Sequence, residues 1–159
     1  MTVPDHSSTL TGWREWVKLI GIGVPWIKAK IDTGAQTSAM HATEITEFER
    51  SGASWVRFLV QPWQVTDDDA VEVELPVHDR RTVRSSSGHA QLRPVVLMTI
   101  TLAGRRIKAE VTLTDREEMG FRMLIGREAL RQGFVVDSSA SFLGGKPPRD
   151  TRRRNRGKA

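Results

Sequence analysis

The sequence predicts an all-β fold, and three observations predict it. Short segments alternate apolar and polar residues with period two, turn residues separate nearly every pair of them, and only one or two brief stretches read as helix. Val73, Leu75 and Val77 fall on one face of their segment and Glu72 and Glu74 on the other. Strands this short and this regularly spaced argue for a barrel or sandwich rather than βαβ units. There is no internal repeat.

Taken in order, Trp16 to Ile20 and Trp26 to Ile31 flank Gly21-Ile22-Gly23-Val24-Pro25 as a hairpin-like pair. Ala42 to Arg50 reads as a short helix or an irregular connection. Trp55 to Gln61 and Val71 to Val77 alternate cleanly, with Asp67-Asp68-Asp69 turning between them. Arg80 to Arg93 is polar, with a Ser-Ser-Ser-Gly tip at Ser85 to Gly88 between two extended arms. Such a hairpin is either an idle surface excursion or a mobile cover over a site. Val95 to Leu102 is β-branched and aliphatic, and Ala103-Gly104-Arg105 turns it into Arg106 to Leu113. Met123-Leu124-Ile125 is a short buried strand stopping at Gly126. A brief helix, Arg127 to Gln132, and a last strand, Phe134-Val135-Val136, complete the body.

The 159 residues suit one domain with its own core, here 13–143, preceded by a flexible segment 1–12. No apolar run is long enough for a membrane span. The first residues lack the apolar stretch of a signal peptide, so a cytoplasmic location with no membrane partner is the expectation. Cysteine is absent, which excludes disulfides and thiolate metal sites. The net charge of +5 is not spread over the fold. From Gly144 onward there are 7 basic residues and 1 acidic one, a net +6, leaving −1 for the rest. Residues 144–159 therefore read as a disordered basic tail, either solvated and idle or an electrostatic contact for a ribosome, RNA or an acidic peptide.

The chemistry centres on Ile31-Asp32-Thr33-Gly34-Ala35, which begins where an alternating strand ends. The triplet Asp-Thr-Gly is not rare, arising by chance on the order of a few times in a hundred chains of this length. A carboxylate that merely caps a turn is its plain structural reading. Its company is more specific: Gln36-Thr37-Ser38-Ala39-Met40-His41-Ala42 after it, then Arg93-Pro94-Val95-Val96, Leu113-Thr114-Asp115-Arg116 and Leu124-Ile125-Gly126-Arg127-Glu128-Ala129-Leu130. Together these motifs resemble a retropepsin-like aspartic peptidase subunit over about Trp16 to Ser138. More closely, they are similar to a bacterial branch described as RimB-type and formerly labelled ATP-dependent zinc protease.

The resemblance implies a closed acid-protease (retropepsin-like) β-barrel with one short C-terminal helix. It implies Asp32 as the catalytic carboxylate, with Thr33, Gly34 and Ala35 completing the active-site loop. Thr33 would bridge two such loops, and Gly34 would present its backbone to substrate. Leu124, Ile125, Gly126 and Arg127 would support that loop, and Ser85 to Gly88 would be a flap tip, with Ser87 and Gly88 on the substrate. It also implies a homodimer. The chain requires one independently if the chemistry is right, because it has a single Asp-Thr-Gly and two facing carboxylates are needed. The other candidate, Asp137-Ser138-Ser139, lacks the glycine and reads as a surface carboxylate at the end of the last strand.

RimB-type enzymes are associated with trimming α-linked glutamate tails that an ATP-grasp ligase adds to a ribosomal protein. Such a substrate calls for cations at the cleft. Lys30, two residues before Asp32, and Arg81, Arg84 and Arg93, on the arms of the flap, are the available ones, with Lys30 and Arg84 the chosen carboxylate contacts. No cofactor and no metal is expected. The four histidines are scattered, with no His-Glu-x-x-His, and a site built from His41, His89 and a carboxylate is the one arrangement left open. The competing reading, from another class, is a non-catalytic β-barrel module that binds ribosome or RNA through the basic tail, with Asp32 structural.

Overall fold

The computed structural model describes residues 7–63, 69–84, 88–115 and 120–150. Its strands are β1 (Thr9–Leu19), β2 (Val24–Ile31), β3 (Ser38–Arg50), β4 (Ala53–Val60), β5 (Val71–Pro76), β6 (Asp79–Arg84), β7 (Ala90–Leu102), β8 (Arg105–Thr114), β9 (Met123–Ile125) and β10 (Phe134–Ser141), and the short helix α1 (Arg127–Leu130) lies between β9 and β10. The order β1-β2-β9-β3-β8-β7 returns to β1 through Lys18 opposite Thr101 and Leu19 opposite Ile100, closing a six-stranded barrel. Closure leaves these strands no free edge. The alternation seen in the sequence fills the interior: Val17, Ile27, Met40, Ile100, Val111, Met123 and Ile125 are fully buried. The outer half of β3 runs on with β4 and β5 as a three-stranded flank, whose Val56, Phe58 and Val73 join the same core. Among the described residues no helix is long and apolar enough to cross a membrane.

Several boundaries differ from the sequence reading, each through a distant partner. β1 begins at Thr9, because Thr9 to Gly12 pair in parallel with Phe134 to Asp137. These four residues are therefore strand, not part of a flexible leader. Ala42 to Arg50 is strand as well. A shift of register between Thr43 and Thr46, with Glu44 at φ +50°, breaks its period-two pattern and hides it from inspection. Asp137 lies inside β10, where its carboxylate accepts hydrogen bonds from the Ser139 hydroxyl and N–H. These bonds hold it below the usual carboxylate range.

The folded body also continues past Gly144. Glu15 is fully buried, and its carboxylate accepts N–H bonds from Gly12 (2.7 Å), Gly144 (3.0 Å) and Leu143 (3.1 Å). Lys146 then lies over the Phe142 ring, and Pro147 is buried. The rest of the basic tail from residue 151 lies outside the described residues.

Candidate active site

β9 sits between β2, with which it runs parallel, and β3, with which it runs antiparallel. The loop joining β2 to β3 must therefore pass over the end of β9, and that loop carries Asp32. Asp32 N–H donates to the Ile125 carbonyl (2.8 Å), and Arg127 and Glu128 N–H donate to the carbonyls of Ala35 (2.8 Å) and Gln36 (3.0 Å). The Arg127 guanidinium reaches up to the Thr33 carbonyl and the Gln36 side chain, both at 2.9 Å. Ser38 Oγ accepts the Gly126 N–H at 3.0 Å. The loop is thus fastened from beneath by the Ile-Gly-Arg turn.

Gly126 makes that approach possible. A Cβ there would stand 2.8 Å from the Thr37 carbonyl carbon and oxygen and 2.9 Å from the Ala35 oxygen. Gly126→Ala should cost about 2 kcal/mol by forcing backbone apart and should misplace Asp32. Denaturant melts and a peptide assay check both, and an equally stable variant would show slack between loop and turn.

Asp32 itself is half-buried, while Thr33 and Gly34 are exposed at this end of the barrel. Gly34 N–H donates to Asp32 Oδ1 at 2.9 Å, and among the described residues Oδ2 accepts no hydrogen bond. One oxygen is oriented and the other is open to a reactant.

Beside the loop runs a groove of about 460 Å³ between the floor residues Ala39, Thr112 and Leu124 and the arms of the β6–β7 hairpin, which contribute Arg81, Arg84 and Arg93. Arg84 is exposed. Leu124 is half-exposed and forms groove wall, so only Ile125 of the aliphatic pair packs beneath the loop. Lys30 is exposed and is not part of the groove lining; it is the cross-strand neighbour of Leu124 and shares its face. Gly88 is exposed at φ +85°, and Ser87 lies outside the described residues.

Sequence reasoning missed the ionic cluster at the hairpin base. Arg81 donates to Asp79 Oδ2 (2.9 Å) and Thr37 Oγ1 (3.1 Å) and pairs with Glu110 Oε2 (2.8 Å). His78 Nε2 lies 3.2 Å from the other Glu110 oxygen. Arg81 holds the Glu110 carboxyl below its ordinary value, chiefly by hydrogen bonding, and the Arg80 N–H does the same for Asp79. Depressed folded values place this contribution to stability above the usual carboxylate range; it is lost as pH falls through the folded values. The signal available in the sequence was Asp79-Arg80-Arg81, but its partner Glu110 lies a whole hairpin away.

The two histidines weighed as metal ligands lie in different settings. His41 is buried on β3 with Nε2 at 3.3 Å from Gln61 Oε1, and His89 is exposed beside Gly88. Among the described residues no three His, Asp or Glu side chains cluster as metal ligands would.

A six-stranded barrel with one short helix, an Asp-Thr-Gly loop and a bracing Ile-Gly-Arg turn defines the retropepsin-like all-β class. Residues 10–147 match the RimB-like family, described as "Retropepsin-like aspartic endopeptidase RimB", and the chain belongs to that family. A Shewanella pealeana protein named "Probable alpha-L-glutamate ligase" is 42% identical over 137 residues, which are 86% of this chain and 30% of the relative. A Desulfotalea psychrophila protein of the same name is 38% identical over 133 residues, 84% of this chain and 29% of the relative. The chain therefore spans under a third of the curated relatives it matches, so their ligase name describes much longer proteins. A crystal structure from Legionella pneumophila, of a protein of unknown function, superposes with a TM-score of 0.73 at 29% identity, covering 87% of this chain and 99% of that one.

Proposed function

We propose that this protein is a homodimeric aspartic peptidase that hydrolyses peptide bonds in glutamate-rich tails, with a ribosomal protein as the natural bearer of the tail and the cytoplasm as its place of action. The observation that carries this reading is the braced Asp32 loop, with one carboxylate oxygen open, beside a groove roofed by arginines. Relatives named for glutamate ligation contain this same domain, which favours a substrate made of linked glutamates. The basic residues after Gly144 fit attraction to that substrate or to RNA.

The mechanism needs Asp32 from two copies, holding one proton between them. The ionised carboxylate takes a proton from a water, whose oxygen attacks the scissile carbonyl carbon. The protonated carboxylate gives its proton to the carbonyl oxygen. Collapse of the tetrahedral intermediate breaks the C–N bond as the leaving nitrogen takes up a proton from the dyad. Thr33 of each copy bridges the loops, Gly34 and Gly88 offer backbone to an extended peptide, and Arg84, with Lys30 at the groove's margin, meets glutamate carboxylates.

The second copy has a surface to meet. Arg14 opposite Lys30 is the outermost β1–β2 pair, so Thr9 to Gly12 run past the end of β2 on the Asp32 side with β10 as their strand partner. Leu10 and Val135, paired there, are 50% and 51% exposed. An apolar ribbon of this kind calls for a partner. Changing both Leu10→Glu and Val135→Glu should convert a dimer to a monomer by light scattering and abolish hydrolysis. A wild-type chain that is monomeric at working concentration and still active would sink the shared dyad.

The reading as a whole is tested with two synthetic peptides, one ending in several α-linked glutamates and one in glutamines, incubated with the protein in EDTA without ATP and weighed by mass spectrometry. Shortening of the glutamate peptide alone is expected. Shortening of neither would overturn the assignment of substrate and activity together.

A further inference from the structure

Three arginines face the groove, and they are not equivalent. We propose that Arg81 is a positioning residue, a strut that sets the flap arm against the Asp32 loop, and not one of the cations that read the substrate. Its effect on turnover rests on the peptidase reading above; its structural role does not.

The bonds of Arg81 define the strut. The guanidinium joins three elements: its own β6 through Asp79, β8 through Glu110, and the Asp32 loop through Thr37 Oγ1. With two carboxylates already against it, Arg81 has little positive field left for a third. A second route leads to the same loop. Glu110 N–H donates to Glu128 Oε1 (2.8 Å), Glu128 N–H donates to the Gln36 carbonyl (3.0 Å), and Arg127 ties Gln36 and Thr33 together. Hence the base of the flap and both sides of the Asp32 loop belong to one hydrogen-bonded network.

β6 needs such a tie. It is the last strand of its sheet, paired with β7 alone, so its other edge is held by side chains. Arg80 holds it to Glu47 on the outer part of β3, at 2.6 Å and 3.0 Å, well away from the Asp32 loop. Arg81 is the contact that reaches the catalytic side. A lone surface ion pair contributes little, but here the planar fork bridges three segments whose relative placement sets the groove.

The test compares Arg81→Met, Arg81→Lys and Thr37→Val in the full chain, with Arg80→Met, which removes the same charge from the neighbouring and more exposed position, as a control. Amide hydrogen exchange is read over residues 79–84 and 33–37, and kcat and KM are read on the glutamate peptide. Arg81→Met should speed exchange in both segments by about tenfold and lower kcat about tenfold with KM nearly unchanged. Arg81→Lys should fail to rescue, since an ammonium cannot span the three partners. Thr37→Val should reproduce part of the loss, and the double variant should lose less than the sum. Arg80→Met should speed exchange in residues 79–84 only. The strut is overturned if Arg81→Met raises KM for the glutamate peptide with kcat unchanged, if lysine restores activity, or if exchange in residues 33–37 does not move. Should no peptide be cleaved by wild type, the peptidase reading fails and the exchange data alone decide the strut.

Discussion

Asp32→Asn should leave no measurable shortening of a glutamate-ended peptide, a loss of at least about a thousandfold. The amide keeps the shape of the carboxylate and can still accept the Gly34 N–H bond at the Oδ1 position, so the loop and the melting temperature should be preserved. What it lacks is a basic oxygen to take a proton from water. Mixing adds a second reading to this experiment. If wild type and variant chains exchange freely in equal amounts, only about a quarter of the dimers keep two carboxylates. Activity should then fall to about a quarter, not to one half, because a dyad with a single Asp32 cannot both activate water and protonate the carbonyl. A fall to one half would mean that each chain works alone, and residual activity of the pure variant would move the chemistry elsewhere.

Glu15→Ala should destabilise the fold by about 2 kcal/mol, since removing the acceptor strands the N–H of buried Gly12, at about 1 kcal/mol or more, and costs two further bonds from the more exposed Leu143 and Gly144, whose N–H groups water can partly reclaim. Those groups belong to Gly12, Leu143 and Gly144, so the damage should concentrate where β1 meets the C-terminal segment. Glu15→Gln keeps one accepting oxygen and turns an NH₂ towards another donor, so it should recover only part of the loss. Chemical denaturation measures both variants. Hydrogen exchange at residues 9–12 and 142–145 should rise together, and the mixed outcome of full stability with raised exchange would show that the clamp orders the ends without supporting the core. Because Thr9 to Gly12 also lie on the Asp32 side of the barrel, loss of Glu15 should weaken the proposed dimer as well.

The difference between these two residues marks how far the chain is legible. Asp32 could be singled out from the sequence as the candidate carboxylate because everything that marks it is local or repeated in pattern: an alternating strand, a short polar turn, and an aliphatic-Gly-Arg segment further on. The barrel strands that face the core were legible for the same reason. Period-two burial is imposed residue by residue on any strand with one wet side, so Trp26 to Ile31 declares itself, while Val95 to Leu102 and Met123 to Ile125 read as aliphatic runs that end before glycine turns. Gly126 was recognised as part of the motif, although its physical cause, the closeness of Thr37 and Ala35, was not visible.

Nothing local sets Glu15 apart, and its bonding depends on Leu143 and Gly144, about 130 positions away. Thr9 to Gly12 looked like a loose leader until β10 paired with them, and Ala42 to Arg50 looked irregular because a bulge broke its alternation. Arg84 was chosen over Arg81 as a substrate contact, but the reason for the difference was not local: Glu110 and Thr37 claim Arg81 and leave Arg84 exposed in the groove. The sequence by itself determined the all-β class, the Asp32 loop and its supporting turn, since local alternation and turn chemistry specify these. Which polar groups are buried, which edges are paired and which cations are already neutralised were decided only by the tertiary structure, because a charge or an unpaired strand is settled by the donors and acceptors that distant segments bring to it.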